Sequence, residues 1–222
     1  MNLTPELLIA AYSCPLSRAQ KWAGPLDAAA TQFAINSVQR MAMWLAHIGI
    51  ESGRLIYTSE IWGPTKAQLA YERDFGAAWP PTALDRRNAL AYRLGNAEVG
   101  DGRTYAGRGP LQCTGRKNHA LARDYMRALL GPDVPDFEAE PRALEDPRWG
   151  ALYCGWFWVD GASLNFSPAA LRHCGPGANL NDLADRGDVV GTTLAINGGT
   201  THLSERGALY AHIRGVLLRV AA

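Results

Sequence analysis

Hydrophobic residues recur at helical spacing along most of the chain, and this pattern predicts a mainly α-helical protein. The clearest segments are predicted as helices over residues 37–52, 83–93, 116–129, 147–159 and 204–220. The last segment carries one apolar stripe: Leu209, Ile213, Val216, Leu217 and Val220. Within 147–159, we expect Trp156 and Trp158 to pack in the core rather than offer a flat surface to a ligand.

Helix boundaries are marked by capping residues. Thr4-Pro5, Ser37 and Thr82 are typical of helix starts, and Gly131-Pro132 is typical of a helix end. Two stretches rich in glycine and proline, 95–110 and 160–182, are predicted to be non-helical. Strand signals are weak, and the best is a short extended piece around Gly109–Thr114. The sequence therefore predicts a mainly α protein with a small irregular or β lobe.

Composition narrows the class of protein. The chain has 222 residues, 47% hydrophobic and 19% charged, with a formal net charge of +1. This suits one globular domain over 1–222 and argues against non-specific nucleic-acid binding. We find no apolar run long enough for a membrane span, no basic leader and no repeats typical of a cell-wall-binding domain. We expect a monomer that is made and kept in the cytoplasm.

The four cysteines, Cys14, Cys113, Cys154 and Cys174, lack the spacing of a zinc site. We expect buried thiols, no metal and no cofactor. Cys154 with Cys174 is the pair to test for a disulfide if the protein leaves the cytoplasm.

Charge is uneven along the chain. Residues 84–127 hold nine Arg or Lys against four Asp or Glu, and residues 133–149 hold two against six. A solvated face is the ordinary interpretation of such segments. The alternative is a basic rim that attracts an anionic polymer.

A glutamate at the end of helix 37–52 is the first candidate for chemistry. Glu51 precedes Gly53, which is suited to end a helix, and shares a helical face with His47. The negative end of the helix dipole and partial burial both favour the protonated carboxyl that a general acid needs. The alternative is an ordinary surface glutamate near a helix end.

A second glutamate, Glu98, lies in the glycine-rich stretch 95–110, where solvent would keep it ionised. Hydrolysis of a glycosidic bond commonly uses two carboxyl groups, one as acid and one as base or nucleophile. Glu51 and Glu98 are therefore a candidate pair. Taken alone, Glu98 would be a solvated loop charge.

Polar residues that follow Glu98 could bind a sugar. If Leu111–Thr114 is extended, Gln112 and Thr114 point to the same side and could hold a sugar and a water. Asn118 comes one helical turn later, and Asn197 lies in the INGG segment. Asparagine both donates to and accepts from hydroxyl groups. Each of these residues could equally serve a turn or the fold.

Four segments together resemble glycoside hydrolase family 19, the chitinase family that also includes phage endolysins. They are IGIESGRL, GNAEVGDGRTYAGRGPLQCTGRKN, AINGG and ERGALY, and their order and spacing agree from about residue 35 to 215. The combination of GRGPLQ with INGG is specific, whereas ESG alone would be weak.

The resemblance implies a lysozyme-like fold of two helical lobes with a central cleft, and hydrolysis with inversion. Glu51 would protonate the leaving glycosidic oxygen, and Glu98 would act as base on a water held with help from Thr114. The resemblance implies six substrate-binding residues: His47, Tyr105, Gln112, Asn118, Asn197 and Arg206. Arg206 would also brace Glu51 or the cleft floor.

Departures from the plant chitinases favour the phage type. Those enzymes carry threonine where this chain has Gly53, and a glutamate and cysteine soon after INGG where this chain has TTHLSE. We therefore predict an endolysin that cuts β-1,4-glycosidic bonds of bacterial peptidoglycan. It would wait in the cytoplasm until a separate pore-forming protein releases it to the cell wall.

Three other functions stay open. A chitinase would act on chitin oligomers. A lytic transglycosylase would need one carboxyl group and leave an anhydro end. A glycan-binding module that has lost catalysis would bind cell walls and release no sugar.

Overall fold

The structure is a computed structural model that describes residues 2–221. Within this range the chain forms twelve α-helices and two 3₁₀ helices, and its β-type pairing consists of two isolated bridges. The α-helices are α1 Pro5–Tyr12, α2 Leu16–Gln32, α3 Val38–Glu51, α4 Lys66–Leu69, α5 Ala89–Leu94, α6 Asp101–Thr104, α7 Arg116–Leu130, α8 Pro147–Val159, α9 Pro168–Cys174, α10 Leu180–Asp185, α11 Val189–Asn197 and α12 Leu203–Ala221. The 3₁₀ helices are Pro141–Glu145 and Gly161–Asn165. The predicted mainly α fold is confirmed.

Four of the five predicted long helices are present, as α3, α7, α8 and α12. Their capping residues act as predicted: Ser37 Oγ accepts a hydrogen bond from Arg40 N at 3.1 Å at the start of α3. Thr4 Oγ1 likewise accepts from Leu7 N at 3.3 Å, with Pro5 at the first position of α1. Local capping chemistry therefore sets these boundaries.

The predicted helix over 83–93 is wrong in its first half, since α5 begins only at Ala89. Thr82 closes a turn instead of capping a helix: its hydroxyl accepts from Asp85 N at 3.0 Å, and its own N donates to Asp85 O at 2.9 Å. Asn88 is buried, and its side-chain nitrogen donates to the Asp74 and Ala78 carbonyls. These bonds tie the segment to a loop and compete with a helix.

The stretch 160–182 was predicted to be non-helical, and this was wrong as well. It contains the 3₁₀ helix Gly161–Asn165, helix α9 and the start of α10. Ser167 Oγ accepts from Ala170 N at 3.1 Å, with Pro168 at the first helical position. Serine followed by proline is a helix-start signal that the count of glycines and prolines outweighed.

The chain divides into two compact units. The terminal unit comprises the chain up to Tyr57 and from Ala151 onward, and the middle unit is Thr58–Gly150. In the terminal unit, α3 packs along α12, and α1 contacts α2 and α12. A Cβ added at Gly49 would lie 2.8 Å from both Leu209 Cδ2 and Tyr12 Cε1, so glycine allows α3 to approach its neighbours closely.

The core of the terminal unit contains the predicted apolar stripes. Trp156 and Trp158 are buried, as predicted. The stripe on α12 is buried at four positions, Leu209, Ile213, Val216 and Leu217, whereas Val220 is exposed. All four cysteines are thiols rather than parts of a disulfide, and Cys14, Cys113 and Cys154 are buried.

The middle unit is built from short helices and turns joined by ion pairs. Its α5 packs against α7, and the isolated bridges join Ser59 to Arg108 and Arg108 to Cys113. Arg116 and Arg123 of α7 pair with the acidic residues Asp101, Asp124, Asp136 and Glu138. Across residues 2–221, none of the helices combines the length and apolarity needed to cross a membrane.

Candidate functional site

Glu51 lies at the C-terminal end of α3, in the terminal unit. Ser52 caps the helix, and Gly53 follows in the left-handed region with φ of +57°. Glycine adopts this conformation without a Cβ penalty, which confirms the predicted role of Gly53 in ending the helix. The Glu51 side chain is 22% exposed, so it is neither buried in the core nor fully solvated.

Arg206 of α12 holds this carboxyl. Its Nη2 donates to Glu51 Oε1, and the guanidinium is 1% exposed. The Nε group donates to the Thr201 carbonyl at 3.4 Å. Of the two partners that the resemblance implied for Arg206, Glu51 or the cleft floor, the structure shows a contact with Glu51. This contact also places a positive charge beside a carboxyl that lies at the negative end of α3.

His47 completes this group from inside the protein. Its Nδ1 lies 2.8 Å from Arg206 Nη1, and a guanidinium can only donate, so Nδ1 accepts. Burial, and secondarily the charge of Arg206, hold the pKa of His47 well below its ordinary value of 6.5. The imidazole is therefore neutral near pH 7 and carries its proton on Nε2.

Two predicted substrate contacts in the terminal unit need correction. His47 is completely buried and Arg206 is 1% exposed, so neither side chain is open to a substrate. Both belong to a chain of contacts that runs from His47 through Arg206 to Glu51. Asn197, the last residue of α11, is exposed, and Gly198 ends that helix with φ of +77°. The INGG segment thus forms a helix end, with Asn197 open to solvent.

The GRGPLQ segment of the middle unit is a tight turn rather than an extended piece. Arg108 N donates to Cys113 O at 3.0 Å, and Cys113 N donates to Arg108 O at 2.7 Å. Between them, Gln112 has φ of +52°, outside the β region. The predicted extended backbone is wrong, but the predicted alternation holds: Leu111 and Cys113 are buried, whereas Gln112 and Thr114 are half-exposed.

Three predicted binding residues are linked through the backbone of this turn. Gln112 Nε2 donates to Gly109 O at 2.8 Å, and Thr114 Oγ1 donates to Gln112 O at 3.1 Å. Asn118 Nδ2 donates to Thr114 O at 2.7 Å. The Thr114 hydroxyl hydrogen is engaged with the Gln112 carbonyl, and the hydroxyl oxygen can still accept a hydrogen bond from a water.

Tyr105 is a third predicted substrate contact that the structure corrects. It is 3% exposed, and its hydroxyl donates to the Glu138 carbonyl at 2.9 Å. The Arg116 guanidinium lies 4.7 Å from the centre of its ring, and the His119 ring is 5.2 Å away. Tyr105 therefore stabilises the middle unit from within.

Glu98 is exposed in the loop before α6. Its backbone N donates to Asp101 Oδ2 at 3.0 Å, and Asp101 N donates to Glu98 O at 3.3 Å. These contacts fix the backbone of the loop. The structure thus places Glu98 in the solvated setting that the sequence predicted.

A carboxylate that sequence reasoning missed, Glu60, is held beside the GRGPLQ turn. Its Oε2 accepts from Gly107 N at 2.9 Å, and its Oε1 accepts from Gln68 Nε2 at 2.9 Å. Glu60 is half-buried and lines a cavity of about 510 Å³ together with Ser59, Trp62, Arg103, Thr104, Ala106, Arg108, Pro141, Arg142 and Glu145. The available signal was TSEIWG, a glutamate close to a tryptophan in an irregular stretch.

Three of the nine basic residues in 84–127 form ion pairs with the acidic segment 133–149. Arg108 pairs with Glu145, Arg116 with Asp101 and Glu138, and Arg123 with Asp136. The acidic segment 133–149 therefore supplies partners to the basic one. These three arginines contribute to the packing of the middle unit, and the basic rim stays an alternative for the exposed basic residues of 84–127.

Comparisons with known proteins agree with the resemblance seen in the motifs. No family model matches the chain. A protein of Haemophilus influenzae described as a glycosyl hydrolase family 19 domain-containing protein is 28% identical over 189 residues, covering 79% of this chain and 78% of the relative.

Solved structures show the same fold. Chitinase C from Streptomyces griseus HUT6037 aligns with a TM-score of 0.64 at 16% identity, covering 97% of this chain and 92% of that one. A bacterial family 19 chitinase aligns with a TM-score of 0.64 at 18% identity, covering 97% and 94%. The chain has the helical, lysozyme-like fold of family 19 chitinases. The relative from Haemophilus influenzae supports a glycoside hydrolase.

Proposed function

We propose that this protein is a family 19-type glycoside hydrolase that cuts β-1,4-glycosidic bonds of bacterial peptidoglycan. The observation that carries the proposal is Glu51, a partly exposed carboxyl at a helix end that a buried arginine holds in place. This arrangement sits on the fold of family 19 chitinases. A partly exposed carboxyl whose position is set by a directed hydrogen bond can serve general acid catalysis on a polymer.

The proposed chemistry uses two carboxyl groups and a water. Glu51 gives its proton to the leaving glycosidic oxygen while a carboxylate takes a proton from the attacking water, which inverts the anomeric centre. The sequence predicts Glu98 as that base, assisted by Thr114. Glu60 is the competing candidate, because its carboxylate accepts three hydrogen bonds, from Gly107 N, Gln68 and Tyr71, and lines a cavity.

The biological role that we propose is that of an endolysin. The protein would accumulate in the cytoplasm as a monomer and reach the cell wall when a separate pore-forming protein opens the inner membrane. Expression in bacteria with and without such a protein tests this role. Lysis only in the presence of the pore-forming protein is expected, and lysis that does not depend on it would contradict the proposed route.

Product analysis tests the activity and its alternatives. Purified protein and its Glu51→Gln variant are incubated with peptidoglycan sacculi and with chitin oligomers, and the products are identified by mass spectrometry. We expect reducing ends from sacculi with the wild type and none with the variant. Anhydro ends would indicate a transglycosylase, cleavage of chitin alone a chitinase, and binding without release a glycan-binding module.

A further inference from the structure

Apolar packing alone does not explain why a polar histidine is buried at position 47. The residue is completely buried, and its Nε2 has no hydrogen-bond partner among the described residues. A buried donor left without a partner destabilises the folded protein. An apolar side chain of similar size would avoid that destabilisation. The contact that histidine adds is the one from Nδ1 to Arg206.

Arg206 needs an acceptor at this place. Its guanidinium is buried, and each of its N–H groups requires a partner that can receive a hydrogen bond. Nη2 donates to Glu51, Nε to the Thr201 carbonyl and Nη1 to His47. The three bonds come from three sides and therefore fix the plane of the guanidinium as well as its position.

The fold supports this arrangement. His47 and Glu51 lie one turn apart on α3, so a single rigid helix carries both groups that Arg206 contacts. The centre of the Trp158 ring lies 5.7 Å from that of the His47 ring, so an aromatic side chain also packs near the imidazole. Any tilt of the guanidinium would therefore break a contact with His47 or with Glu51.

We propose that His47 is a positioning residue that keeps Arg206 aimed at Glu51, and thereby keeps the acid carboxyl in its working orientation. This inference rests on the proposed glycosidase function. Neutral imidazole is required, because a protonated ring could not accept from arginine, and burial maintains that neutral form. His47 itself does not touch the substrate.

The test compares two substitutions of one residue. His47→Leu removes the acceptor and keeps the apolar volume, whereas His47→Gln keeps a side-chain oxygen that can accept from Arg206. We expect His47→Leu to lower kcat about 10–100-fold with KM changed less than about threefold, since small misplacements of a catalytic group cost up to about 10²-fold. His47→Gln should recover most of that loss. Equal kcat values in folded His47→Leu and wild type, or no recovery by His47→Gln, would overturn the inference.

A spectroscopic measurement keeps the inference testable if His47→Leu does not fold. In wild-type protein labelled with ¹⁵N-histidine, we expect His47 as a single Nε2–H tautomer at pH 7, and an Nδ1–H tautomer would overturn the proposed contact. Failure of the proposed function is recognised separately. In that case wild type releases no sugar or Glu51→Gln keeps full activity, whatever the His47 variants do.

Discussion

Arg116 and Asp101 form a two-bond ion pair in the middle unit: Nε lies 3.0 Å from Oδ2, and Nη2 lies 2.6 Å from Oδ1. Asp101 is nearly buried and also accepts from the backbone N of Glu98. The pair therefore ties the glycine-rich loop to the start of α7.

The first prediction follows from this pair. Asp101→Asn removes the negative charge and leaves the Arg116 guanidinium with a poorer partner. We expect a loss of about 2 kcal/mol in the free energy of unfolding, less than the 3–5 kcal/mol of a fully buried pair because Arg116 is partly exposed. Urea denaturation at pH 7 measures it.

Arg142→Gln is the matched control for that measurement. Arg142 is 81% exposed and pairs with Glu145, so its loss should change stability by less than about 0.5 kcal/mol. If both substitutions lower the free energy of unfolding by the same amount, the Arg116–Asp101 pair does not stabilise the protein more than an exposed ion pair does.

The second prediction distinguishes the two candidate bases. Because Glu60 is held by three hydrogen bonds at the edge of a cavity, we expect Glu60→Gln to lower kcat about 10²–10⁴-fold. Glu98 is exposed, and we expect Glu98→Gln to cost less than about tenfold. Release of reducing sugar from sacculi measures both.

The reverse order would restore Glu98 as the base that the sequence predicted. Circular dichroism and thermal melting of both variants are needed beside the rates, because Glu60 also accepts from Gly107 N and Gln68. In the Glu60→Gln variant, the glutamine side chain keeps one oxygen that can accept one of these hydrogen bonds. A folded Glu60→Gln variant with wild-type kcat would exclude Glu60.

The third prediction concerns pH and His119 of the middle unit. Burial is the main cause that lowers the pKa of His119 from 6.5 to about 4. As pH falls below 6.5, His119 becomes protonated in the unfolded chain but stays neutral in the folded chain. The free energy of unfolding therefore decreases with falling pH until about pH 4, below which His119 is protonated in both states. The full effect of this group is about 3 kcal/mol.

Urea denaturation at pH 7.5, 6 and 5 checks this sign. His47, whose pKa is also lowered, acts in the same direction. The carboxyls of Asp136 and Asp185 have a lowered pKa from an ordinary 3.8, so they reduce stability only at more acidic pH. His119→Gln should flatten the slope between pH 6.5 and 5. A slope unchanged by that substitution would contradict the assignment to His119.

The fourth prediction uses one substitution at two helical glycines of the terminal unit. At Gly155 of α8 an added Cβ would lie 2.1 Å from Phe33 Cδ2, so Gly155→Ala should destabilise by about 1–3 kcal/mol. At Gly215 of α12 the nearest atom is a flexible arginine end at 3.6 Å, so Gly215→Ala should stabilise by about 0.5–1 kcal/mol. Thermal melting measures both, and equal signs would contradict the packing argument.

Helix ends could be predicted from the sequence, because contacts between neighbouring residues determine where a helix begins and ends. Ser37, Thr4 and Gly131 mark helix ends through bonds to their own neighbours, and those boundaries were correct. The contact from Arg206 to Glu51 could be predicted only through resemblance, since 155 positions separate the two residues.

Several predictions were wrong because the sequence does not show which side chains are buried. His47 and Tyr105 are polar residues close to the motifs, and their sequence neighbours do not reveal that both are enclosed. Thr82 has the chemistry of a helix cap, yet the buried side chain of Asn88, bound to a distant loop, sets a turn instead. Glu60 was not predicted as a site residue, because its hydrogen bond joins it to the backbone N of Gly107, 47 positions away, and a local pattern does not show such a contact.

Arg206 stands on α12, the last helix of the described chain, whereas Glu51 ends the third. During synthesis on the ribosome the carboxyl is therefore made long before the guanidinium that holds it. A nascent or truncated chain that stops short of α12 would have the glutamate without its support. Enzymatic competence should thus arrive only after α12 has been synthesised and has docked on α3.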